Sequence, residues 1–227
     1  FKGNKITLDF NEYVELADVR QNLLVSPTPK TDPNVDYKLR PVTLKLKDTL
    51  EENTTYTINL GDAIKDINEG NVLKNFSYVF STGPMLDSLE FSGHTEIAET
   101  GKVDSTLMVF LYKNLVDSAV EKQRPKYIAR VNGQGNFSFT NLAGGKYKVY
   151  ALKDGDGLKT YNSKAEMFAF ADSPVTVNAK TKPVNLFAYV EEKELPKNSP
   201  INPKQAEKKL KYNTPIPFEF QDVLSEL

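Results

Sequence analysis

The chain has 227 residues, including 13 Phe and 11 Tyr, and a formal net charge of −1 from 29 basic and 30 acidic side chains. That length suits two modules of ordinary domain size better than one, and the near-zero charge removes the positive field that would gather nucleic acid or an anionic membrane surface. With no cysteine, disulfides and thiolate metal sites are excluded.

Phe1-Lys2-Gly3-Asn4-Lys5 runs straight into a strand with no initiator methionine, no apolar run approaches the roughly 18 residues of a membrane helix, and no signal peptide is present. The chain therefore reads as a soluble, excised or processed piece of a longer protein. Alternation of apolar and polar residues marks half-buried strands. Ile6, Leu8 and Phe10 alternate, as do Val42, Leu44 and Leu46; Tyr56, Ile58 and Leu60; and Phe76, Tyr78 and Phe80. Pro27, Pro29 and Pro33 punctuate the segment after the first run, where proline belongs in turns or at a sheet edge. Leu50 to Tyr56 has the pattern of a tyrosine corner, in which the phenol bonds back to backbone a few residues upstream and pins a crossover between sheets. Asn53 to Gly83 then reads as the closing half of a small β-sandwich.

After Gly83-Pro84 the pattern restarts with Leu89, Phe91 and Gly93, then Leu107, Val109 and Leu111, then Tyr127, Ala129 and Val131. Phe137 and Phe139; Tyr147, Val149 and Ala151; Phe168 and Phe170; Val175 and Val177; and Leu186, Ala188 and Val190 continue it. Asn132-Gly133 predicts a tight hairpin. Leu142-Ala143-Gly144-Gly145-Lys146-Tyr147 repeats the leucine, turn, tyrosine logic of the first module. Beyond Val190 the chain turns charged and proline-rich, and Phe218, Phe220, Val223, Leu224 and Leu227 form an apolar tail expected to pack on a sandwich or to begin a further domain. The predicted fold is all-β: one sandwich over residues 1–84, a second over 85–190, and a C-terminal extension over 191–227. The short connection Gly83-Pro84-Met85-Leu86 should restrict the angle between the modules and give an elongated monomer.

ITLDFNEYVEL, VSP, LEENTTYTINLGDAIKDINEGN and YVFSTG, between Lys5 and Gly83, resemble the bacterial Ig-like domain first described from S-layer proteins. The first strand usual in that family is not evident before ITLDF, so this copy reads as truncated. SLEFSGHTE, VFLYK, GNFSFTNLAGGKYKVYALKD and EMFAF, between Leu86 and Val190, are similar to the prealbumin-like, or carboxypeptidase regulatory-like, sandwich. The tandem resembles surface lipoproteins of Bacteroidetes-type bacteria. The resemblance implies a cell-envelope location, at the outer-membrane surface or in the periplasm, and no established activity. The lipid-bearing cysteine of such proteins is absent, so a membrane contact belongs only to an anchored parent protein.

No catalytic constellation stands out. The sharpest chemical candidate is the Asp154-Gly155-Asp156-Gly157 loop, where Asp154 and Asp156, with Glu166 closing the shell, would offer hard oxygen ligands to calcium. The EF-hand spacing fails there, and a solvated Asp-Gly turn is the plainer reading. No other cofactor is expected. Asp62, Asp66, Asn68, Glu69 and Asn71 form a second polar loop, read either as ligands or as Asx turns with Gly70 at positive φ. His94 is the sole histidine, which excludes any mechanism needing two, and Ser81 and Thr82 lie near no histidine in sequence. Asp9 with Glu12, and Glu96 with Glu99, are chance carboxylate pairs rather than a glycosidase dyad. Tyr13, Tyr78, Tyr112, Tyr127, Tyr150, Tyr161 and Tyr189 raise the question of a sugar platform, although most occupy strand positions suited to a core. The sequence thus predicts a non-enzymatic structural or adhesive spacer of a surface lipoprotein. The alternative is a carbohydrate- or protein-binding module for nutrient capture, with an unidentified protein or glycan as partner.

Overall fold

Every one of these alternating runs is a strand in a computed structural model of the chain, which describes residue 1 and residues 3–191. Among the described residues 45% are in strands and 4% in helices, so the chain is all-β. The first half holds β1 (Lys5–Asp9), β2 (Val14–Leu16), the single-turn helix α1 (Val19–Asn22), β3 (Leu24–Ser26), β4 (Asn34–Tyr37), β5 (Pro41–Lys45), β6 (Thr55–Gly61), β7 (Ile64–Asp66), β8 (Val72–Leu73) and β9 (Phe76–Ser81). The second half holds β10 (Leu89–Ile97), β11 (Met108–Tyr112), α2 (Ala119–Lys122), β12 (Tyr127–Arg130), β13 (Asn136–Leu142), β14 (Gly145–Leu152), β15 (Met167–Phe170), β16 (Val175–Val177) and β17 (Val184–Val190). The expectations for the chain after Val190 fall, beyond Glu191, outside the described residues.

In the first half, three small sheets with orders β1-β5-β4, β3-β6-β9 and β2-β7-β8 enclose one interior. Ile6, Val42, Leu44, Tyr56, Ile58, Leu60 and Phe80 fill it, and the alternate residues of the same strands face out. The predicted tyrosine corner is present: the Tyr56 hydroxyl accepts the Glu51 backbone N–H at 2.9 Å. Its ring stacks on Phe80, with centroids 5.3 Å apart.

In the second half a single eight-stranded sheet runs β12-β11-β14-β15-β17-β10-β13, with β16 paired to β14. It curls over a second interior built from Phe91, Val109, Leu111, Phe137, Phe139, Val149 and Leu186. The two layers of this module are therefore one continuous ladder, joined through the parallel pair of β10 with β17. A second corner closes it, the Tyr147 hydroxyl donating to the Ala143 carbonyl at 2.9 Å.

Two expectations are corrected. Alternation predicts one buried face on β11, yet Phe110 and Tyr112 are as buried as Val109 and Leu111. Ala119 and Val120 of α2, with Tyr150, Phe168 and Tyr161, cover the outer face and make it a further small core. The Asn132-Gly133 turn does not join paired strands either. Asn132 exchanges one backbone bond with Asn136 (2.9 Å), and its carboxamide accepts the N–H groups of Gln134 and Asn136. The turn is thus organised by the Asn132 side chain, and β12 and β13, though neighbours, stand at opposite ends of the strand order.

Gly93 sits where the parallel pair is tightest. A Cβ there would lie 2.2 Å from the Val184 carbonyl oxygen and 2.4 Å from the Phe137 ring. Gly93→Ala should therefore lower stability by about 1–3 kcal/mol through overpacking, read by urea denaturation. Tyr56→Phe and Tyr147→Phe should each cost about 1 kcal/mol, the net contribution of a hydrogen bond to stability. Wild-type midpoints in these variants would contradict the register and the corners respectively.

Candidate functional site

The curled sheet leaves its two edge strands unjoined. β12 pairs only with β11 and β13 only with β10, and the two run beside each other without a ladder between them. Against this seam lies the β3-β6-β9 sheet of the first half, with β3 beside β12 and β6 beside β13. Buried or not, an open edge presents unpaired N–H and C=O groups that must find partners.

The contacts follow from the proline-rich segment after β3. Pro27 ends that strand, and the next residue, Thr28, donates its backbone N–H to the Lys126 carbonyl at 2.8 Å, extending the pairing across the junction. Arg124 donates to the Pro29 carbonyl at 3.0 Å and meets Asp32 at 3.4 Å. The same Asp32 oxygen lies 3.6 Å from the Lys159 ammonium. Lys126 pairs with Glu51, the residue whose N–H holds the tyrosine corner. Arg130 donates to the Gln21 carbonyl, in α1. Burial pushes its guanidinium pKa down from the ordinary value, against the opposing pull of Asp62. At the other edge Asn141, held at φ 57, reaches the Thr57 hydroxyl at 3.3 Å. Just after the connection, the Asp87 N–H donates to the buried Thr55 hydroxyl at 2.7 Å.

Such an arrangement positions one half against the other. Thr28, Asp32, Arg124, Lys126 and Arg130 were not singled out in the sequence. The one local signal is the spacing of Pro27, Pro29 and Pro33, which stiffens a segment held against the second half.

Of the residues that were singled out, Asp154 and Asp156 border the junction beside Asp32, and His94 and Tyr127 line it. In the Asp154 loop, Asp154 accepts the Lys159 N–H at 3.1 Å, and Asp156 accepts the Leu158 N–H at 2.9 Å and the Asn162 amide at 2.6 Å. Glu166 accepts the Asn162 N–H at 3.2 Å. Among the described residues, no group of three or more His, Cys, Asp or Glu is gathered so as to hold a metal ion. Asp66 makes two Asx bonds, to the N–H groups of Asn68 and Glu69, and Gly70 takes φ +75. The His94 Nδ1 lies 3.0 Å from the Asn136 carboxamide oxygen. Tyr112, Tyr150, Tyr161 and Tyr189 gather with Phe168 around the small outer core, while Tyr127 is buried in the inner one beside Tyr147. They do not form one open platform. Burial, with the charge of Glu191 nearby, pushes the Tyr161 hydroxyl up to about 12.

Burial raises the Asp154 carboxyl above its ordinary 3.8; the adjacent Asp156 adds to the rise, and the Lys159 N–H opposes it. A raised folded-state value means that the ionised carboxylate disfavours the folded state above that value, and that the penalty fades as pH falls through it. Asp154→Asn keeps an oxygen for the Lys159 N–H. It should melt at or above the wild-type temperature near about pH 7, with the advantage shrinking toward about pH 4. A wild type that gains on the variant as pH rises would contradict this.

Residues 1–82 match the family model of the bacterial Ig-like domain. No curated protein matches the chain. Among solved structures it is similar to the crystal structure of BcpA, the major pilin subunit of Bacillus cereus, at 11% identity and a TM-score of 0.28, over 82% of this chain and 59% of that one. Among the described residues no helix is long and apolar enough to cross a membrane. What the comparisons establish is local: the likeness to the bacterial Ig-like domain is confined to residues 1–82.

Proposed function

We propose that this chain is a non-catalytic structural and adhesive spacer of a bacterial cell-surface lipoprotein, held in the cell envelope by a lipid anchor on the parent protein. One observation carries the reading: the outer face of the first sandwich covers the open seam of the second, so that the two halves share a junction rather than a free hinge. A spacer transmits position, and a junction that fixes an angle suits that task. The match of residues 1–82 to the bacterial Ig-like domain supports it. The module works as a monomer whose partner is a protein or glycan at the cell surface.

Backbone ¹⁵N relaxation of the full chain tests the reading. Residues of the two halves should report one common tumbling time. The double variant Thr28→Pro with Arg124→Ala removes the N–H to Lys126 and both Arg124 contacts, and should let the halves tumble separately while each keeps its own dispersed spectrum. Separate tumbling in the wild type would overturn the spacer mechanism.

A further inference from the structure

The junction is not closed along its whole length. Beside the bonded contacts a cleft of ≈ 650 Å³ remains, between the outer face of β3-β6-β9 and the β10, β13 and β17 side of the second half. Thr57, Asn59 and Ser77 stand on one wall; Ser138, Thr140 and Asn185 stand on the other. We propose that this cleft binds a short neutral oligosaccharide.

The lining chemistry supports that class against its competitors. Among the described residues no Asp or Glu lines the cleft and His94 is its one imidazole, so it gathers no ligand set for a metal ion and no counter-charge for a cationic ligand. The one formal cation, Arg130, already donates to the Gln21 carbonyl and faces Asp62, so it is not presented as an anion clamp. What remains are hydroxyls, carboxamides and the His94 imidazole, held by Asn136, and these groups both donate and accept, as vicinal sugar hydroxyls do. Beside the Arg130 bond, the Asn141 amide bridges the junction here, to Thr57. Ser138 and Asn185 are exposed and make no side-chain hydrogen bond among the described residues, while Asn59 bonds Ser77 along its own wall at 2.9 Å. Two polar walls therefore face each other across a gap in the size range of small-molecule sites, rather than closing on each other. Tyr127, Phe137 and Phe139 reach the floor, but all three are buried and offer edges instead of an open stacking face. Recognition thus rests on hydrogen bonds. The inference goes beyond the spacer reading without depending on it, since an empty cleft would leave the junction intact.

The test is calorimetric titration of the full chain with maltoheptaose, cellohexaose and a mannan-derived hexasaccharide, and with oligogalacturonate as the acidic arm. Saturable binding to at least one neutral sugar is expected. Ser138→Trp, which fills the cleft from an exposed strand position, should weaken it about tenfold or more at an unchanged melting temperature. Asn185→Ala and Ser77→Ala provide the same reading should the tryptophan disturb folding, each weakening the binding without changing relaxation of the two halves. Absence of binding to every neutral sugar at millimolar concentration, binding to oligogalacturonate alone, or wild-type affinity in these variants would overturn the proposal.

Discussion

A β-sheet that curls over its own core must either join its first and last strands or protect them. In this chain β12 and β13 come together without pairing, and their backbone groups cannot be left dry and unbonded without a cost of about 1–3 kcal/mol each. The solution is to lay another sheet across the gap. From this constraint follow the position of β3 next to β12, the bond from Thr28 to Lys126, and the reach of Asn141 to Thr57. The polar outer face of β3-β6-β9, with Ser26, Thr57, Asn59 and Ser77, then makes sense as well. An apolar face would fuse with the seam into one interior, whereas hydroxyls and carboxamides allow contact while keeping two separate cores.

How the interiors are built was largely legible in sequence, because side-chain alternation in a strand is a property of the strand itself. Ile6 with Leu8, Tyr56 with Ile58 and Leu60, and Phe137 with Phe139 all declared their faces before any partner was known. Both tyrosine corners were legible for the same reason: donor and acceptor lie within about one turn of chain, at Glu51 with Tyr56 and Ala143 with Tyr147. Short strands were not. β2, β3 and β7 have three residues each, too few to show a period. The double burial of β11 was hidden because its outer cover comes from α2, a single helical turn with no strong periodic signal, and from Tyr161 and Phe168, far along the chain. The site was the least legible part. Lys126 meets Glu51 across 75 positions and Arg124 meets Pro29 across 95, and nothing local in either segment announces its partner.

The first corner and the junction are coupled through a single residue. Glu51 offers its N–H to Tyr56, and its carboxylate to Lys126. Lys126 in turn offers its carbonyl to Thr28. Tension on the junction is thus delivered to the crossover that pins the first sandwich, not to a loose loop. Arg130 plays the matching part at α1, with a guanidinium too buried to be indifferent to losing the Gln21 carbonyl.

Magnitudes decide what kind of joint this is. The ion pairs of Asp32 involve side chains 69% exposed on the acidic partner, and such pairs contribute about 0–1 kcal/mol. The backbone bond of Thr28 adds about 0.5–1.5 kcal/mol net. No one of them could hold two sandwiches together against rotational freedom. Their value lies in number and placement: Arg124 and Lys159 both meet the same Asp32 oxygen, while Thr28 bonds Lys126 along the strand line. Several weak constraints at separate residues define an orientation, which a single strong contact would leave free to pivot.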